Sequence, residues 1–259
     1  MRSWIFEGEI RGDFPKEPIE IGGCKLEVVE SEEVGSRYVG STRIEAESLE
    51  QADKIAEERF KGVFKALSIA VGRRFEFEIL SAKEVTPQRL REKKIDVIYR
   101  TTIFPFGKPF EPNVLDEAKE ILHLLQKPDE YSKKALDYFT RGLTMRRWPS
   151  EAYLNFFKAI ELISDKFIPE LKKKLKGKIK DLEDSEFKRL ATRKRRIENV
   201  LEIFNLNRQL KKDVRKLVKI RNEFDVAHAL IEEIKLNNKD VDSCMTMAKQ
   251  IIISYLKLL

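Results

Sequence analysis

Arg221, Asn222 and His228 are the residues of this chain whose types and spacing could do chemistry. They lie in the stretch RNEFDVAH, inside a longer segment, RQLKKDVRKLVKIRNEFDVAHALIEEI, that carries the apolar period of a helix. The seam of that helix is Leu210, Val214, Leu217 and Phe224, and both Arg221 and His228 fall on the same line. Seven residues apart, they differ by only about 20° around the helix axis and stand about 10.5 Å apart along it. An imidazole titrates at about pH 6.5, so it can give or take a proton near neutrality. A guanidinium keeps its charge and offers an anion a fork of donors. Buried cations are rare unless paired, and three readings of the interrupted seam stand side by side. The two groups line a cleft and act on a bound anion; or Arg221 pairs with a buried acid such as Glu161 while His228 packs; or the face meets a second copy of the chain.

Other chemistry has less to stand on. The second histidine, His123, lies among leucines in EILHLLQK and reads as a packed side chain. No phosphate-binding loop, dinucleotide fingerprint or nucleophile elbow occurs. Cys24 and Cys244 are far apart, with no metal spacing and no disulfide framework, which fits a reducing cytoplasm. No cluster of aspartates or histidines offers a two-metal site. The expectation is therefore a site that needs neither metal nor cofactor.

The elements that must position Arg221 and His228 divide into two halves. Residues 1–112 read as a small N-terminal α+β domain of unassigned role. SWIFEGEI, CKLEVVE, RYVGSTRIEAE, RFEFEIL and IDVIYRTTIF are strand-like, and Gly22–Gly23 form a turn before the second of these. Ser48 and Gln51 make a capping box for a helix whose apolar positions run from Ala52 to Val71, and Gly72 ends it. FPFGKPFEPN holds three prolines and a glycine and marks the boundary. Residues 113–259 read as an all-α bundle. Pro128 and Pro149 punctuate it, and Tyr153, Phe156, Phe157, Ile160, Ile163 and Phe167 form an apolar stripe in EAYLNFFKAIELISDKF. The fold class expected is thus α+β: a small sheet-and-helix domain, then a helical bundle.

The chain has 259 residues, of which 42% are hydrophobic and 37% charged. A sizeable core can form, and a lysine- and glutamate-rich surface of this kind resembles that of thermophile proteins. The N-terminus, MRSWIFEGEIRGDF, lacks the apolar run of a secretory signal, and the apolar run IIISYLKLL is too short to span a bilayer. The net charge of +7 is uneven. Residues 171–196 carry +8, with 12 basic and 4 acidic residues, and the rest of the chain sums to −1. A patch of that kind suits a polyanion, or else is a solvated lysine-rich connection. The cations that would track a nucleic-acid backbone are Lys172, Lys173, Lys174, Lys176, Lys178, Arg193, Lys194, Arg195 and Arg196.

An arginine, a polar asparagine and then a histidine after six intervening residues resemble the signature of the HEPN superfamily (higher eukaryotes and prokaryotes nucleotide-binding). ALDYFTRGL followed by AYLNFFKAIELIS resembles the first two helices of its bundle, especially in the Apea-like branch. The resemblance covers roughly residues 128–259. It implies a homodimer through the C-terminal half, with two signatures meeting in a shared basic cleft. Many members look like metal-independent ribonucleases of defence, toxin–antitoxin or RNA-processing systems, and others bind RNA, nucleotides or protein partners without catalysis. Carried to this chain, the resemblance implies His228 as acid and base, Arg221 as stabiliser of the phosphate and Asn222 as orienter, with Glu161 in support. Glu223 and Asp225 would repel a phosphate if they faced the cleft.

Overall fold

Alternation of apolar and polar residues builds the first half. In the computed structural model, which describes residues 2–11, 17–31, 35–85, 112–179, 182–230 and 236–259, five antiparallel strands form one sheet. They are β1 (Arg2–Arg11), β2 (Ile19–Ile21), β3 (Cys24–Ser31), β4 (Gly35–Ala46) and β5 (Glu76–Glu84), in the order β2-β3-β4-β1-β5. Trp4, Phe6, Gly8 and Ile10 of β1 and Tyr38, Gly40, Thr42, Ile44 and Ala46 of β4 are buried at every second position, as a sheet with one covered face requires. Gly22 and Gly23 both have positive φ, 57° and 74°, which supplies the tight turn between β2 and β3. The three-residue strand β2 is too short for a period of two to mark it in the sequence.

Helix α1 (Leu49–Val71) covers the sheet. Ser48 caps it by accepting from the Gln51 amide at 3.2 Å, and the Gln51 side chain reaches back to the Glu47 amide at 3.1 Å. Gly72, in the left-handed region, ends it. Phe60 and Phe64 stack on Phe77 of β5, with ring centroids 3.9 and 5.1 Å apart. The strand expected over 95–104 and most of the proline-rich segment lie outside the described residues. After that segment comes α2 (Pro112–Leu124), which buries Ala118 and Ile121 and packs on α1. The chain accordingly forms two compact units, residues 1–125 and 126–259, dividing after α2 and not before it. His123 corrects its expectation: it is exposed on α2, because Ile121 rather than His123 takes the buried position.

The second unit is helical: α3 (Glu130–Thr144), α4 (Pro149–Lys166), α5 (Ile168–Lys176), α6 (Asp184–Leu190), α7 (Arg193–Ile203), α8 (Arg208–Leu230) and α9 (Asn238–Leu256). The two units together give the expected α+β class. Helix α4 is the central member, packed on α3, α7 and α9. Tyr153, Phe156, Phe157, Ile160 and Ile163 of α4 are completely buried. Gly142 lets α3 come close, since a Cβ there would stand 2.5 Å from the Phe156 ring. Tyr153 ties α4 to α8: its hydroxyl donates to the Leu217 carbonyl, and its ring stacks on Phe224 at 5.8 Å. Leu171, Leu182 and Phe187 make a smaller satellite core under α5 and α6. Among the described residues no helix is long and apolar enough to cross a membrane.

Candidate functional site

The apolar seam of α8 is buried as its period requires: Leu210, Val214, Leu217 and Phe224 are all inside. Arg221 sits on that seam with only 14% of its side chain exposed. Its charge is met by two carboxylates. Asp225, one turn on, accepts from an Arg221 terminal nitrogen, and an Oε of Glu161 on α4 lies 3.8 Å from Arg221 Nε. Tyr153 fixes α4 against α8 and thereby sets Glu161, two turns further along α4, beside Arg221.

A third element completes the cluster. Arg193, the first residue of α7, places Nε 2.5 Å from the other Glu161 oxygen. One of its terminal nitrogens donates to Asn222 Oδ1 at 2.7 Å and to Asp225 Oδ2 at 2.9 Å. Two guanidiniums and two carboxylates thus alternate, with Glu161 on the inner side (20% exposed) and Asp225 on the outer side (48% exposed). Burial pushes the Asp225 carboxyl up, but hydrogen bonds from Arg193 and then Arg221 more than offset it and hold its pKa below the usual carboxylate value.

The first turn of α7 has four cations, Arg193 to Arg196, and no acid. The positive end of a helix dipole disfavours cations, so local preference is violated here and must be offset from elsewhere. The offset comes from α4: Glu161 takes Arg193, and Asp165, one turn further, takes Arg196. Thr192 caps the helix, accepting from the Arg195 amide at 3.4 Å. Beside this turn lies a cleft of about 390 Å³, lined by Thr192, Arg193, Lys194, Arg196, Val218 and Asn222 together with Ala191. All charged groups in its lining are cations.

The structure therefore brings together Arg221, Asn222, Glu161 and Arg193. Arg193, by sequence one of the cations that would track a nucleic-acid backbone, belongs to this cluster. Asp225, by sequence a source of repulsion toward a phosphate, is a partner of both arginines. Its position four residues after Arg221 is the ordinary helical ion-pair spacing, which was the available signal. His228 falls within α8, two turns beyond Arg221, and its side chain lies outside the described residues. The basic stretch is partly compensated from within: Lys172 pairs with Asp184 at 2.6 Å, Lys174 with Glu202, and Lys194 with Glu198 at 3.6 Å. Arg195 donates to the Leu190 carbonyl at 3.2 Å. Lys173, Lys176 and Lys178 form no ion pair among the described residues.

Comparison with known proteins returns nothing similar to this chain: no family model, no curated protein and no solved structure matches it.

Proposed function

We propose that the second unit acts on RNA as a metal-independent endoribonuclease of HEPN type, working as a homodimer in the cytoplasm. The observation that carries this reading is Arg221 itself: a cation retained on the core-facing line of a helix, held by carboxylates, next to a cleft whose charged lining is all cationic. In this reading His228 removes the proton from a 2′-hydroxyl, the 2′-oxygen attacks the adjacent phosphorus, and the P–O5′ bond breaks, the 5′-oxygen taking up a proton from water while the His228 imidazolium returns its own to solvent. Arg221 offers charge-assisted hydrogen bonds to the phosphorane oxygens, where negative charge gathers. Asn222 holds Arg193 through its Oδ1. A defence or toxin–antitoxin setting, with an antitoxin or another protein as partner, belongs to the same proposal.

One observation favours a second reading, a HEPN-type dimer that binds RNA, a nucleotide or a protein without cutting. Both arginines of the cluster are already matched by carboxylates, which lowers the charge available to a transition state. The test is whether the purified chain cuts single-stranded RNA in EDTA and leaves 2′,3′-cyclic phosphate ends. Such ends support the first reading. Salt-dependent binding with no cleavage selects the second. Neither binding nor cleavage overturns both.

A further inference from the structure

The Asp225 carboxylate occupies an unusual place. One of its oxygens is bonded to Arg221 and the other to Arg193, so it bridges two guanidiniums that come from different helices. A guanidinium fork matches the oxygens of a carboxylate and those of a phosphate with the same geometry. We infer that Asp225 is a built-in placeholder for a phosphoryl group, and that Arg193, Arg221 and Asn222 form an anion subsite which opens when Asp225 turns outward. The inference rests on the RNA-acting reading of this site. It adds Arg193 as a phosphate-contacting residue and Asp225 as the competitor that must leave.

Three features set Asp225 apart from an ordinary structural counter-ion. First, it is the outermost member of the cluster. Its side chain is 48% exposed, against 14% for Arg221, 20% for Glu161 and 27% for Arg193. It can rotate into water without uncovering a core. Second, its departure leaves both arginines beside a carboxylate, although Arg221 then keeps an ion pair and, among the described residues, no hydrogen bond, its buried Nε having none even with Asp225 in place. Glu161 stays between them, with one oxygen 2.5 Å from Arg193 Nε and the other 3.8 Å from Arg221 Nε, and Asn222 Oδ1 still accepts from Arg193. Third, the charge changes in the right direction. With Asp225 in place, two cations face two carboxylates. With Asp225 turned away the cluster carries one net positive charge, beside a cleft already lined by Lys194 and Arg196. An incoming phosphate therefore exchanges one anion for another and does not need to create a new cationic hole.

Asp225 and Glu161 have separate duties on this account. Glu161 holds the arginines permanently, and Asp225 screens them until an anion arrives. Screening of that kind also keeps two guanidiniums from repelling one another in the empty site.

The test uses the full chain and inorganic pyrophosphate, followed by titration calorimetry at constant ionic strength. Asp225→Asn removes the competing charge and should tighten pyrophosphate binding by about two- to threefold, the range expected for losing one partly exposed ion pair. Adding Arg193→Gln should abolish the gain. Asn222→Asp places a third acid on Arg193, beside Glu161 and Asp225, and should weaken binding below that of the wild type. This variant keeps the inference falsifiable if Asp225→Asn fails to fold. Unchanged or weaker binding in a folded Asp225→Asn protein overturns the placeholder role, as does unchanged binding in Asn222→Asp. Pyrophosphate binding is read independently of RNA cleavage. A silent nuclease with the expected pyrophosphate pattern removes the catalytic reading and leaves the subsite standing, whereas a nuclease without the pattern does the reverse.

Discussion

Helices α1 and α8 are both 23 residues long, and each carries one half-buried arginine. The two arginines are handled differently. Arg59 of α1 stands at the edge of an apolar face made of Ala52, Ala56, Phe60, Val63 and Leu67. Among the described residues it donates to neutral oxygens, Thr42 Oγ1 at 2.9 Å and the Arg43 carbonyl at 3.0 Å. It ties helix to sheet. Arg221 of α8 lies within the apolar seam, and it is met by two carboxylates and accompanied by a second arginine. A cation at the margin of a buried face needs only hydrogen bonds, whereas one inside the face needs counter-charge brought from other helices. The second arrangement costs more to assemble and does nothing for packing. It is therefore the better marker of a site.

The comparison is tested most severely by removing the inner acid. Glu161→Ala takes the shared partner from Arg193 and Arg221 together and should lower stability by about 2–3 kcal/mol, below the full cost of a deeply buried pair because the cluster is partly wet. Arg59→Ala should cost about 1 kcal/mol, the value of ordinary hydrogen bonds. Thermal and urea unfolding of both variants would measure the gap. Equal losses would erase the distinction between the two arginines.

Lysine substitution sharpens the same contrast at smaller amplitude. Arg221→Lys keeps the charge but loses the fork that reaches Glu161 and Asp225 at once, and should cost about 1–2 kcal/mol. Arg59→Lys should cost less than about 1 kcal/mol, since the partners are single neutral oxygens. Comparable losses would mean that the two-sided clamp on Arg221 contributes little.

The helix caps provide a control that should not separate the two halves. Ser48→Ala and Thr192→Ala each remove one side-chain acceptor from a first-turn amide. Each should cost about 0.5–1 kcal/mol, with the longer Thr192 bond at the low end.

What the sequence disclosed follows the same division. Everything local to α1 could be read in advance: the Ser48–Gln51 box, the apolar period and the Gly72 stop depend on residues within a few positions of one another. The seam of α8 and the anomaly of Arg221 were equally plain, and Glu161 could be named as the acid to seek. The position of Arg193 could not. It reaches Glu161 from 32 residues away, and only the docking of α7 on α4 brings them together. The run of cations from Arg193 to Arg196 suggested an open basic surface, but the structure sets two of them into carboxylates of α4. His123 went astray for a related reason, since a leucine-rich neighbourhood in sequence does not say which face of α2 is covered.

The smallest expected effect concerns acid. Asp225 has a folded pKa held below its ordinary value by Arg193 and Arg221, against the upward push of burial. A carboxylate depressed in this way contributes stability that is complete above its unfolded pKa of about 3.9 and is lost as pH falls through the lower folded value. Arginine remains protonated over this whole range, so only the carboxylate end of the interaction titrates. Asp225 is nearly half exposed, and solvent screening limits its contribution to about a few tenths of a kcal/mol. Melting temperatures of the wild type and of Asp225→Asn should therefore differ slightly at pH 7, and the difference should close as pH falls below about 4 and the wild-type carboxyl takes up its proton. Other carboxylates titrate in both proteins and cancel in the subtraction. The same pair of measurements on Arg59→Gln should show no such convergence, because neither Thr42 nor the Arg43 carbonyl titrates. A difference for Asp225→Asn that persists unchanged at the acid end of the titration would mean that its bond to the two arginines does not depend on charge, and the contrast between α1 and α8 would lose its electrostatic basis.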